Sequence, residues 1–436
     1  MHNLKIWNYL SIPWLVFTLT FFVVFFLLAF LVEVDSSYLS RNYLNKLFLN
    51  TIILSFGSAI LSAIIAVPLA ILVTFYKFPG HKFFSWSLSL SIAFPAYVYA
   101  FIYVGIFEYA SPVSEYLRNF NISLPQIKNI YGASLIMAMA LFPYIFLLTK
   151  AHLGSVGIKV FKAAKSLGDT NITAIRKVII PSLWPTIIAG MALVIFETIA
   201  DFGGVSTLRV DTFTVGIYDA WFGYQSYFSA TRLAGFLLLF VFLIMFLAKY
   251  FGEKSVHLAS KTAETFERIE TTPIVRIGML IFCSLIFIIV FCIPTSQLIV
   301  WNLADSNLNL ISNLQLLINS LIVGLLASVI TVFFAIALAL SYKHSTILKS
   351  SILISSSGYA IPGSVISAGL LVGIDYIFDT SITFYGILGL LMCLSLRFMT
   401  PAFNYISASL SNISKSAEHA LTTLPRDSFK AFKLFY

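Results

Sequence analysis

The sequence predicts an all-α, polytopic helical membrane protein, and three observations predict it. Of the 436 residues, 59% are hydrophobic and only 10% are charged, with a mean hydropathy of +0.94. A soluble domain carries roughly 25% charged residues, and a disordered chain needs low hydrophobicity and high charge. The apolar residues also come in long unbroken runs. Each suffices for the roughly 20 residues of a spanning helix, and none alternates as the strands of an outer-membrane barrel do. Finally, the basic residues fall between the runs, and mostly on one side of the membrane. The net charge of +9 is spread too thinly to form a nucleic-acid-binding patch.

Taken in order, the first run covers Pro13 to Val32. It exceeds the 7–15 residue core of a signal peptide, and no small-x-small cleavage site precedes Glu33 and Asp35, so it reads as an uncleaved span. Further spans are expected near 47–76, 83–108, 131–150, 183–203, 231–250, 274–294, 315–341, 350–374 and 383–407, about ten in all at this length per crossing. With the N-terminus in the cytoplasm, 20 of the 27 Lys and Arg lie in inner segments, 6 in outer segments, and Arg397 within a span. The positive-inside rule favours that orientation. Cys283, Cys292 and Cys393 sit inside apolar runs, at spacings that suit neither zinc nor a disulfide framework. No histidine lies mid-run, which argues against a haem-bearing bundle.

The chain divides at its polar stretches. An N-terminal span and outer loop (1–46) precede a first module (47–251). A mixed-charge linker (252–273) leads to a connecting span and outer loop (274–314), then a second module (315–436). The modules share an order of motifs. Leu49-Asn50-Thr51 answers Ile318-Asn319-Ser320, Phe94-Pro95 answers Ile361-Pro362, and Tyr131-Gly132 answers Tyr385-Gly386; a Lys-rich inner loop follows each series. Internal repeats of this kind are common in transporters.

The first inner loop, 151–182, predicts a helix, a break and a second helix. Lys159 to Leu167 favours helix, Gly168 suits a C-terminus that needs positive φ, and Asp169 or Thr170 can cap the next helix. That helix is expected to run to about Ile180 and end at Pro181. Ala163 and Ala164 are read as a small-residue face for close approach to another protein; an ordinary interfacial amphipathic helix would look the same.

The pattern Ala163-Ala164-x3-Gly168-x9-Val178-x-Ile180-Pro181 resembles the EAA loop of ABC importer permeases. That resemblance implies a coupling helix (Lys162, Ala163, Ala164, Gly168, Pro181) docking on a cytoplasmic ATPase dimer, and the type I ABC importer permease fold. The family's glutamate is Lys162 here. In the second module, aligned with Glu418 opposite Phe161, Ala420 matches Ala163, with Leu421 for the second alanine and Pro425 for the glycine; Glu418 and Ala420 are the coupling candidates there. Aligned so, Tyr436 falls opposite Ile179, and the second module is expected to be incomplete in its EAA-like loop. Phe196 to Gly204, Phe213 to Tyr218 and Trp221-Phe222-Gly223 extend the resemblance to the fused, two-module ferric iron permeases. It implies an outer substrate-binding protein as a further partner and ferric iron as cargo, with thiamine, polyamine and oxyanion permeases as the nearest alternatives.

Glu197 and Asp201 are one helical turn apart and so face the same way. A carboxylate deep in an apolar run is expensive and marks a translocation path; equally, Asp201 could be a solvated helix end, and Glu197 could bond a neighbouring helix or Arg397. A secondary transporter would carry more intramembrane ionisable groups than these. No zinc-protease, nucleophile-elbow or phosphate-loop motif is present, so no catalytic residue, resident metal or cofactor is expected, and another chain hydrolyses ATP. The expected location is the inner (plasma) membrane, in contact with the lipid bilayer.

Overall fold

The computed structural model describes residues 5–32, 40–252, 268–304, 310–356, 358, 361–367, 369–370 and 383–411. Among these, helix dominates. In chain order the helices are α1 (Lys5–Phe30), α2 (Arg41–Phe75), α3 (His81–Ser87), α4 (Ala96–Phe107), α5 (Pro112–Arg118), α6 (Ile130–His152), α7 (Ile158–Ser166), α8 (Asn171–Ala174) and α9 (Ile180–Ala200). Then come α10 (Gly203–Thr207), α11 (Phe213–Tyr218), α12 (Tyr227–Gly252), α13 (Pro273–Phe287), α14 (Ile293–Ala304), α15 (Leu310–His344), α16 (Lys349–Ser355) and α17 (Thr383–Ser411). Among the described residues, eight helical stretches are long and apolar enough to cross a membrane. The expected span at 83–108 is not one straight helix: it bends by 90° at Phe94-Pro95. Proline keeps the preceding residue out of the α region, and Phe94 is extended at φ −96°, ψ 121°. The expected span at 350–374 is likewise broken at Ile361-Pro362, and its end lies outside the described residues.

Packing divides the chain into two units, one of residues 36–219 and 239–308, the other of residues 1–35, 220–238 and 309–436. This grouping is not sequential, unlike the linear division at 46, 251, 273 and 314.

In the first unit α2 packs along α6, and α9 lies against both. Ser62 Oγ donates to the Ala138 carbonyl between α2 and α6. Asn50 and Thr51, the repeat motif, tie α2 to the segment before α11: Asn50 Nδ2 donates to Asp211 O at 2.9 Å, and Phe213 N donates to Thr51 Oγ1 at 3.2 Å. In the second unit α15 packs along α17 in the same way, and Ser395 Oγ donates to the Ala327 carbonyl. α2 and α15 are both 35 residues long. The proline breaks match as well. The Pro95 carbonyl accepts from Val98 and Tyr99, the Pro362 carbonyl from Val365 and Ile366, and each residue before the proline donates three positions back. The proline pairs therefore mark repeated local geometry, whereas Asn319 and Ser320 are exposed and Ser320 Oγ donates within its own helix to Leu316 O. α1 packs on α15 and α16, where Thr18 Oγ1 donates to Ser355 Oγ and the Trp14 ring lies tilted against Phe334.

Of the prolines that stand in long helices without ending them, two are accommodated in the same way. Ile175–Ile179 and Ile288–Cys292 are π-helical, with Ile180 N bonded to the Ile175 carbonyl and Ile293 N to the Ile288 carbonyl. Pro181 and Pro294 follow directly. A proline removes one donor from the ladder, and a π turn absorbs the resulting shift of register. Around Pro294 two other groups assist: Tyr99 Oη donates to the Val290 carbonyl and Tyr103 Oη to the Ile289 carbonyl. Both tyrosines are buried on α4, one turn apart, with parallel rings. Below α2, Ile269 pairs with the chain at Tyr76. Ile269 N donates to Phe75 O at 2.7 Å and Lys77 N to Ile269 O at 3.1 Å. Beside it, Lys77 Nζ lies 2.7 Å from Glu270 Oε1.

Candidate functional site

Two places in the first unit carry the predicted site residues. The first is the loop 158–180. α7 is amphipathic, burying Ile158, Phe161 and Ala164; Phe161 meets Phe75 at the end of α2, with ring centroids 5.1 Å apart. Ala163 and Ala164 do not share one exposed face as expected. Ala163 is exposed and Ala164 is buried, because successive helical residues differ by 100° and the helix turns only one stripe inward. α7 then closes in the predicted way. Gly168 has φ +93°, Gly168 N donates to Lys165 O, and Asp169 N donates to Ala164 O. These are the paired bonds of a Schellman motif. Of the two residues suggested as the next cap, Thr170 is the one: its Oγ1 accepts from Thr173 N at 3.2 Å. The expected stop at Pro181 is overturned, since helix continues from Asn171 to Ala200 through the π turn. Lys162 and Gly168 are exposed. Glu418 and Ala420 lie outside the described residues.

The second place is a cavity of about 190 Å³. Phe94, Pro95 and Ala96 of the bend wall one side. Met137, Ala140, Leu141 and Tyr144 come from α6, at the spacing that places four residues on one helix face. Glu197 and Asp201 come from the end of α9, so the structure brings the two predicted carboxylates to one cavity. Among the described residues lining it, none is basic.

The two carboxylates are not equivalent. Asp201 Oδ2 accepts from Gly204 N at 2.8 Å and Val205 N at 3.1 Å, capping α10, while its backbone carbonyl accepts from Thr214 Oγ1 at 3.0 Å. The turn it holds lies close against α4. A Cβ on Gly203 would come within 2.9 Å of Tyr97 Cβ, and one on Gly204 within 3.3 Å of the Ala96 backbone. Asp201 thus fixes the chain that borders the cavity. Glu197, a turn earlier, is half-buried. Sequence reasoning missed Tyr144 and the bend; the signals were Pro143-Tyr144 and Phe94-Pro95 inside apolar runs. Outside the spans, burial and then the neighbouring Asp211 push Asp219 above the ordinary aspartate range. Asp211 itself pairs with Lys46 at 2.5 Å. No group of three or more His, Cys, Asp or Glu able to hold a metal occurs among the described residues.

The first unit thus combines bent and continuous helices of spanning length, a small cavity holding two carboxylates, and an exposed helix–turn–helix at 158–180. Residues 66–256 match the family profile of binding-protein-dependent transport system inner membrane components. The chain is similar to an Fe(3+)-transport system permease protein of Haemophilus influenzae, 25% identical over 408 residues, which cover 91% of this chain and 76% of that one. It is also similar to a sulfate transport system permease protein of Salmonella typhimurium, 27% identical over 155 residues, 36% of this chain and 55% of that one. A putative 2-aminoethylphosphonate permease of Salmonella choleraesuis is 23% identical over 193 residues, 42% and 67% of the two chains. The match thus spans little more than half of the sulfate permease. These relatives are transport permeases rather than enzymes. The chain is a multi-pass inner-membrane permease of binding-protein-dependent import.

Proposed function

We propose that this permease passes a hard metal cation, ferric iron, across the membrane. The observation that carries this reading is the cavity: two carboxylates and a phenol line it, and among the described residues no basic side chain does. An oxyanion entering it would meet like charge in a low-dielectric setting, where repulsion is strongest, whereas a cation gains from the carboxylates. Glu197 is the residue assigned to meet the cargo, and Asp201 the one that shapes the chain beside it. The iron permease among the relatives, similar over 91% of this chain, supports the same cargo. An oxyanion remains the second reading because the sulfate and phosphonate permeases resemble part of the chain.

On this reading the exposed loop 158–180 receives one copy of a cytoplasmic ATPase, the N-terminus lies in the cytoplasm, and a binding protein delivers cargo from the opposite face. The test is ATP-driven uptake by the permease reconstituted with its ATPase and binding protein. Ferric iron should be taken up and sulfate should not, and Glu197→Gln should lower iron uptake at least tenfold while leaving basal ATP hydrolysis unchanged. Sulfate uptake would replace this reading with the oxyanion one, and iron uptake indifferent to Glu197→Gln would remove Glu197 from the path.

A further inference from the structure

The exposed side of the 158–180 loop has a composition that specifies what can cover it. Leu167 is 87% exposed and Ile172 is 75% exposed, and they flank the Gly168 turn at the tip. Around this apolar pair the exposed basic residues are Lys162, Lys165, Arg176 and Lys177, with half-buried Lys159 behind them. Asp169 is the one acidic residue in the segment. Its neighbour Lys165 donates to the Asp169 backbone carbonyl at 3.0 Å, which orients that ammonium along the turn. The tip is held in shape by the Schellman bonds and the Thr170 cap, and its inner side is spent on Phe161 and Phe75. The surface is therefore preorganised: an apolar centre inside a cationic ring.

Protein interfaces concentrate affinity in a desolvated apolar centre, and charge complementarity at the rim sets on-rate and partner choice. We infer that the ATPase surface receiving this loop is an apolar socket rimmed by carboxylates, so that this permease pairs with an acidic docking face. This inference rests on the coupling role proposed above for the loop and adds the chemistry of the partner. Anionic lipid could also attract the basic ring, but a lipid surface calls for a broad apolar stripe along the helix, whereas α7 turns its apolar stripe inward and exposes its large apolar side chain only at the tip.

The test uses the full-length permease in nanodiscs and its own ATPase, with affinity measured from low to high salt. Lys162→Gln with Lys165→Gln should weaken association about five- to tenfold at low salt, the effect of two rim charges, and should flatten the salt dependence. Leu167→Ser should weaken it more than tenfold at every salt concentration. If Leu167→Ser disrupts binding while the charge variants and salt have no effect, the carboxylate rim is wrong and the docking role survives. If none of the variants matters, both fall together. An environment-sensitive fluorophore on Ser166→Cys supplies the remaining arm. It should report water in phosphatidylglycerol nanodiscs until the ATPase is added; a lipid-like signal without the ATPase would show that membrane covers this face and would overturn the inference.

Discussion

Single residues decide the local shape of both site regions, and they do so through the backbone. Gly168 sits at φ +93° with no atom within 4 Å of where a Cβ would stand. Replacing it therefore creates no clash; the effect is conformational, roughly 1 kcal/mol for an L-residue in the left-handed region. Gly168→Ala should lower stability by about that amount, with Gly168→Asn closer to wild type, as a thermal melt of the detergent-solubilised protein would show. Asp201 acts in the same manner at the cavity. Asp201→Ala removes the acceptor for Gly204 and Val205, and losing a cap of this type costs about 1 kcal/mol. Hydrogen exchange at those two amides should rise in Asp201→Ala and remain slow in Glu197→Gln, separating the residue that shapes the site from the one proposed to face cargo.

At the scale of elements, the prolines carry most of the difference between reading and structure. The Gly168 turn and the Thr170 cap were legible because they rest on local chemistry that a short segment contains. The pairing of Glu197 with Asp201 was legible from helical spacing alone. The path of the chain at Pro95 and Pro181 was not, because the same residue bends one span by 90° and is absorbed within another. What differs is the response of the surrounding ladder: an extended Phe94 in the first case, a π turn in the second. Tyr99 and Tyr103 were invisible as hydrogen-bond donors because their acceptors lie 191 and 186 residues away. Their contribution can be isolated. Tyr99→Phe and Tyr103→Phe should each destabilise by about 0.6 kcal/mol, the average for hydrogen bonds between spanning helices. In a Pro294→Ala background, where the ladder regains a donor, each should cost less; a double-mutant cycle in a mild denaturing detergent measures the coupling. The pairing at Ile269 gives a pH-dependent counterpart. The hydrogen bond and charge of Lys77, and then Arg276, hold Glu270 below the ordinary glutamate range. A depressed carboxyl stabilises the folded form above its unfolded value and loses that contribution as pH falls through its folded value. Exchange at the Ile269 amide should therefore quicken as pH falls below about 4, relative to its intrinsic rate, since unperturbed glutamate titrates near 4.3. Glu270→Gln should abolish that step.

At the scale of the whole molecule, the repeat is the organising fact. Each unit is built on a 35-residue helix packed along the helix that opens at Tyr-Gly, with a proline break between them in sequence. The proline motifs were legible because each marks a broken span, Phe94-Pro95 in one unit and Ile361-Pro362 in the other. The proposed orientation predicts that Lys165→Cys resists a membrane-impermeant thiol reagent in intact cells and reacts once the cells are opened; labelling from outside would invert the topology. The helix that runs unbroken from Asn171 to Ala200 has a mechanical consequence. Its 30 residues amount to about 45 Å at roughly 1.5 Å per residue. A stop at Pro181 would have left a free joint between loop and membrane. Instead the element is a pushrod, anchored at one end beside Thr170 and bearing Glu197 near the other. On the proposed coupling role, thrust applied at the tip would reach the cavity as axial rotation or travel of that carboxylate, with the π turn and Pro185 as the interruptions of the ladder along the rod.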